Sequence, residues 1–95
     1  MRIKHFSGYG CVNATKVSSV DKINGFGNTF TILKILVVGN HERGLIRDDR
    51  YDLFKWLVSR FVKGKTYMDI IDYDYELGWD KDGDNCLYTF YINKN

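Results

Sequence analysis

Hydrophobic and polar positions alternate over most of this chain and follow a helical period in one stretch. Arg2 to Phe6 alternates charged and apolar residues, as a half-buried strand does. Ser7-Gly8-Tyr9-Gly10 then offers a turn or bulge, because glycine accepts positive φ. From Cys11 to Ile23, Val12, Val17 and Val20 lie among Ser and Thr, which predicts a long polar strand. Asn24-Gly25 predicts a type I′ hairpin, whose two central residues need positive φ; Gly27 loosens the register by a residue or two. The return strand, Thr29 to Val38, carries Phe30, Ile32 and Leu36 on one face and Leu33, Ile35 and Val37 on the other. Apolar residues on both faces mark a central strand.

Gly39 to Gly44 reads as a loop, and the period then changes. Leu53, Phe54, Leu57, Val58 and Phe61 recur at steps of one, three and four, the stripe of an amphipathic helix laid on a sheet. Asp48 or Asp49 is placed to cap its start, with Asp52 adding favourable charge in the first turn. Gly64 ends it, with Arg60 and Lys63 in the last turn. Alternation resumes from Met68 to Trp79, with Ile71, Tyr73, Tyr75, Leu77 and Trp79 on one face and Asp72, Asp74 and Glu76 on the other. Asp80-Lys81-Asp82-Gly83-Asp84 reads as a polar turn, and Cys86 to Ile92 as the final strand, with Tyr88, Phe90 and Ile92 on one face. The order β-β-β-α-β-β predicts a single α+β domain over residues 1–95. It is a two-layer sandwich in which one amphipathic helix covers an antiparallel sheet of about five strands.

Composition agrees with one folded core. The 95 residues are 44% hydrophobic and 27% charged, which argues against disorder. Seven of the 15 aromatic residues are Tyr, and there is no proline. The longest aliphatic run, Ile35-Leu36-Val37-Val38, is far short of the ~20 residues that span a bilayer. No apolar run follows Met1 to His5, so no secretory signal is visible and the cytoplasm is the expected location, the host bacterial cytosol if the chain is phage-encoded. Cys11 and Cys86 match no zinc spacing. They read as small buried thiols in a reducing compartment, with a single bridge between two strands as the alternative.

Charge changes the picture more than composition does. Residues 1–68 hold twelve Lys and Arg against five Asp and Glu, a net of +7, whereas residues 69–95 hold two against seven, a net of −5. Such asymmetry points to charged partners unless the fold brings the two stretches together to neutralise each other.

Several short patterns carry chemistry. Leu36-Val37-Val38-Gly39-Asn40-His41-Glu42 resembles one signature of the calcineurin-like metallophosphoesterases, in which the Asn and His help hold two metals and the leaving phosphate. That chemistry needs six or more convergent ligands, and His5 is the only other histidine, so a Gly-Asn turn is the expected reading and no metal or cofactor is implied. Asp80-Lys81-Asp82-Gly83-Asp84-Asn85 has the acid spacing of a calcium loop, yet Asn85 and Tyr91 stand where an EF-hand has Gly and Glu. A hairpin turn is expected there. His5 and His41 would suit a compact metal-independent ribonuclease only if both imidazoles reach one phosphate. No complete catalytic set is present, so binding is favoured over catalysis.

Two charged groups remain as candidate binding sites. Arg43, Arg47 and Arg50 precede or open the helix, where backbone N–H groups and bidentate guanidinium donors suit phosphate or carboxylate; Lys63 and Lys65 extend the basic set. Asp72, Asp74 and Glu76 share a strand face at steps of about 6.6–6.8 Å, comparable with successive phosphates on a nucleic-acid strand. Asp80, Asp82 and Asp84 extend that row. A small, motif-poor α+β chain with segregated charge resembles the accessory proteins of phages and mobile elements, those of the anti-CRISPR type among them. The resemblance is one of size and build. It implies a non-enzymatic inhibitor that occupies a charged groove of a host nucleic-acid-binding protein or ribonucleoprotein, with the six acids imitating DNA. Direct RNA or DNA contact through the basic residues is the alternative, and a nuclease built on His5 and His41 the second.

Overall fold

In the computed structural model, residues 2–6, 10–39, 50–80 and 83–94 are described, with side chains over 13–38, 53–76, 78 and 85–94. Alternating sequence becomes extended chain: β1 (Arg2–Phe6), β2 (Gly10–Ile23), β3 (Thr29–Gly39), β4 (Ile70–Asp80) and β5 (Gly83–Asn93). Every pairing is antiparallel, and the spatial order is β1-β2-β3-β5-β4. The long strands β2, β3, β5 and β4 make the body of the sheet, and the five-residue β1 pairs with the first residues of β2. Among the described residues, one helix, α1 (Arg50–Phe61), and a 3-10 turn, Tyr67–Asp69, lie between β3 and β4. The chain is thus α+β, with a helix on an antiparallel sheet.

β3 is central because both of its faces are apolar. Leu33, Ile35 and Val37 are fully buried toward the helix, and Phe30, Ile32, Leu36 and Val38 are half-buried on the opposite face. β5 alternates in register with it, so Cys86, Tyr88, Phe90 and Ile92 are buried beside Val37, Ile35, Leu33 and Thr31. Leu53, Phe54, Leu57 and Val58 of α1 close this layer, with Phe61 half-buried at its end. Phe54 sits at the centre. Its ring meets Tyr73, Tyr88 and Phe90 edge-on at centroid distances of 4.8, 5.3 and 4.9 Å, the geometry aromatic quadrupoles prefer. Each fully buried apolar side chain contributes about 1.5–3 kcal/mol.

The ends of α1 follow simple rules. Gly64 takes the left-handed conformation at φ +80°, and the Val62 N–H still reaches the Val58 carbonyl at 3.0 Å, as expected where a helix stops at glycine. Arg60 lies in the last turn and Lys63 lies beyond it. The expected capping by Asp48 or Asp49 lies outside the described residues, as does the side chain of Asp52.

Several local expectations are corrected. The β2–β3 connection is not a two-residue type I′ turn: Ile23 pairs with Thr29, and Gly27 alone in it has positive φ, at +82°. Asn24 explains the change. Its Oδ1 accepts from the Phe26 and Asn28 amides at 2.8 and 3.0 Å, and its carbonyl accepts from Gly27 at 3.1 Å. The side chain therefore templates a longer loop. In β4 the register slips between Ile70 and Asp72, so Ile71 is the extra residue of a bulge. Ile70 packs against the core in its place, and Ile71 is 62% exposed rather than sharing the inner face with Tyr73. The polar turn at 80–84 is shorter than expected, because strand pairing continues to Asp80 opposite Gly83. A bridge between Cys11 and Cys86 is also excluded. β3 lies between their strands, so the two backbones stand at least two strand spacings apart, about 9.6 Å, beyond the roughly 7 Å a disulfide permits.

Candidate functional site

β4 is the outermost strand, and its sequence decides what that edge presents. Tyr73 faces the helix because it pairs with the buried Phe90; Asp72, Asp74 and Glu76 then face away, paired with Tyr91, Thr89 and Leu87. All three carboxylates are exposed, and none of them meets a cation among the described residues. Lys34 stands in the same cross-strand row as Asp74, with Thr89 between them, and makes no ion pair with it. Among the described residues, nothing compensates the negative charge of this row.

Two of these acids also serve the backbone. The Tyr73 N–H donates to Asp72 Oδ1 and the Tyr75 N–H to Asp74 Oδ1, each at 2.8 Å. An outer strand with bare amides invites another strand to pair with it. Here the preceding carboxylate occupies the Tyr73 and Tyr75 donors, which makes this stretch of β4 a poorer template for sheet extension. Asp69, by contrast, is spent on local structure. Its Oδ2 accepts from the Thr66 amide at 2.9 Å while Thr66 Oγ1 accepts from the Met68 amide at 3.2 Å, a reciprocal cap of the 3-10 turn.

The acidic strand borders two concavities. One, of about 380 Å³, lies on the face away from the helix between the hairpin residue Asn24, Phe30, Tyr91, the bulged Ile71 and the acids Asp72 and Asp74. The rings of Phe30 and Tyr91 are 6.4 Å apart and tilted by 45°. The other, of about 450 Å³, runs between Phe54 of α1, Tyr67, Met68 and the start of β4. Sequence reasoning missed the first of these. Alternation does assign Phe30 to the outer face, but no residue pattern discloses the β3–β5 register that sets it beside Tyr91.

The remaining candidates are scattered or outside the described residues. Asp80 and Asp84 lie on adjoining positions of the β4–β5 hairpin, with their side chains outside the described set; Asp82 lies outside it altogether. Arg43, Arg47 and His41 are likewise outside. Arg50 is the first residue of α1 and His5 lies in β1, each with its side chain outside. Lys63 is exposed and Lys65 half-buried just past the helix. Among the described residues no group of three or more His, Cys, Asp and Glu is placed to hold a metal. No helix among them is long and apolar enough to cross a membrane.

The Lys94 ammonium beside Asp21, reinforced by the Thr31 hydroxyl donating at 2.8 Å, holds the Asp21 carboxyl below its ordinary range. This pair ties Lys94 to β2, and the Lys94 amide also donates to the carbonyl of Thr29, the first residue of β3, at 3.1 Å. Comparison with family models, curated proteins and solved structures gives no match to this chain.

Proposed function

We propose that the chain is a non-enzymatic binding protein that inhibits a host nucleic-acid-handling defence complex, in the manner of anti-CRISPR proteins, by laying its acidic outer strand in a basic groove. One observation carries this reading: Asp72, Asp74 and Glu76 are exposed in a row on β4, with no cation against them among the described residues. Grooves that hold nucleic acid are lined with cations to neutralise phosphate. A row of carboxylates repeating at about 6.8 Å on a rigid strand can enter such a groove and displace the strand it was built for. Long-range attraction between opposite charges speeds the encounter and makes it sensitive to salt. The buried aromatic layer under β4 supplies the rigidity, since Tyr73, between two of the acids, is held by Phe54.

The test is capture of bacterial ribonucleoprotein complexes on the immobilised chain, with and without nuclease, followed by assay of the captured complex for nucleic-acid binding. A partner retained after nuclease and inhibited by one equivalent of the chain supports the proposal. Loss of every partner on nuclease treatment refutes it and favours direct nucleic-acid binding through the basic residues.

A further inference from the structure

The concavity beside the acidic strand has a chemistry of its own. Its floor is apolar and aromatic, made by Phe30, Tyr91 and the bulged Ile71, while Asp72 and Asp74 stand on one rim. The acids are neighbours in β4, and neither meets a cation among the described residues. Each uses Oδ1 for the next amide of the strand, a contact that fixes the carboxylate without neutralising it. The bulge matters because it turns Ile71 out of the core, so that it borders this concavity. At about 380 Å³ the space is at the small end of ligand sites.

A group that suits this setting must be flat, apolar on its faces and cationic at its edge. The guanidinium of arginine meets all three conditions. It stacks on aromatic rings, is weakly hydrated, and donates in a fork that matches carboxylates. A lysine ammonium satisfies the charge alone, and phosphate is repelled by both acids. We infer that the Phe30–Tyr91–Ile71 concavity, with Asp72 and Asp74, is a binding site for an arginine side chain of a basic protein partner. The inference rests on the proposed function for its partner and adds the anchor: the acids of β4 supply attraction along the strand, and this site selects arginine over lysine.

The experiment uses the whole chain, labelled with 15N, titrated with a blocked Gly-Arg-Gly peptide and separately with a blocked Gly-Lys-Gly peptide. The expected result is a shift of the amides of Phe30, Ile71 and Tyr91, and weaker binding of the lysine peptide. Tyr91→Leu should weaken the arginine peptide about tenfold by removing the stacked ring, and Tyr91→Phe should retain it. Asp72→Asn with Asp74→Asn should weaken it by a similar factor, because Asn keeps the Oδ1 acceptor for the strand amides and removes only the charge. Circular dichroism checks each fold. If the two peptides bind equally and Tyr91→Leu has no effect while the double Asn variant does, the arginine site is overturned and the charge-driven docking of β4 stands. If neither peptide binds, the site is overturned and basic-partner docking loses its support as well.

Discussion

Phe54→Ala removes a ring that joins the helix to both strands under the acidic face. In the native packing this ring is 3% exposed and lies edge-on to Tyr73 of β4 and to Tyr88 and Phe90 of β5. Truncating a buried Phe to Ala costs about 3–5 kcal/mol, the sum of lost transfer energy and an incompletely collapsed cavity. A domain of this length has a total stability of roughly 5–14 kcal/mol, so the variant should lose about a fifth of it or more. Phe54→Leu keeps most of the buried volume and loses the three edge contacts, and should cost about 1–2 kcal/mol. The assay is urea denaturation followed by far-UV circular dichroism, in which the midpoint should fall and the slope should stay constant. Because Tyr73 of the outer strand packs directly on Phe54, native-state hydrogen exchange in β4 should accelerate more than in β3. A cost for Phe54→Ala below about 1 kcal/mol, the level of a surface change, would refute the packing of α1 on β4 and β5.

Other perturbations probe the supports of the site. Gly64→Ala should lower stability by about 1–2 kcal/mol by urea denaturation, because a Cβ at φ +80° is strained although no neighbouring atom crowds it. Asp21 is held below its ordinary range in the folded chain, so its contribution is present above the unfolded pKa and is lost as pH falls through the lower folded value. The stability difference between the wild type and Asp21→Asn should therefore be largest above about pH 5 and shrink as pH falls below about 4. Denaturation at a series of pH values reads this, and a difference that grows on acidification contradicts it.

Much of the fold was legible because alternation and helical period each tie a residue type to a face. Leu33, Ile35 and Val37, with Leu53, Phe54, Leu57 and Val58, form the core that their spacing assigns to them. What the pattern could not disclose were places where one side chain overrides the local rule. Asn24 rebuilds its turn through its own Oδ1, and the bulge at Ile71 moves one residue out of step so that Ile70 takes the core position. The acidic row was visible as three acids at a spacing of two. The capping of strand amides by Asp72 and Asp74 was not, because it depends on β4 being the outermost strand. The arginine site was hidden for a similar reason: Phe30 and Tyr91 are 61 positions apart in the chain and meet only through the β3–β5 register.

The central claim is that the carboxylates of β4 form the partner-binding surface. Charge reversal at Asp72, Asp74 and Glu76 to Lys, with the fold verified by circular dichroism, tests it against the captured complex in a direct affinity measurement at low and at physiological salt. The account predicts loss of binding at both salt concentrations with an unchanged helical signal. Undiminished affinity in the triple variant would contradict it.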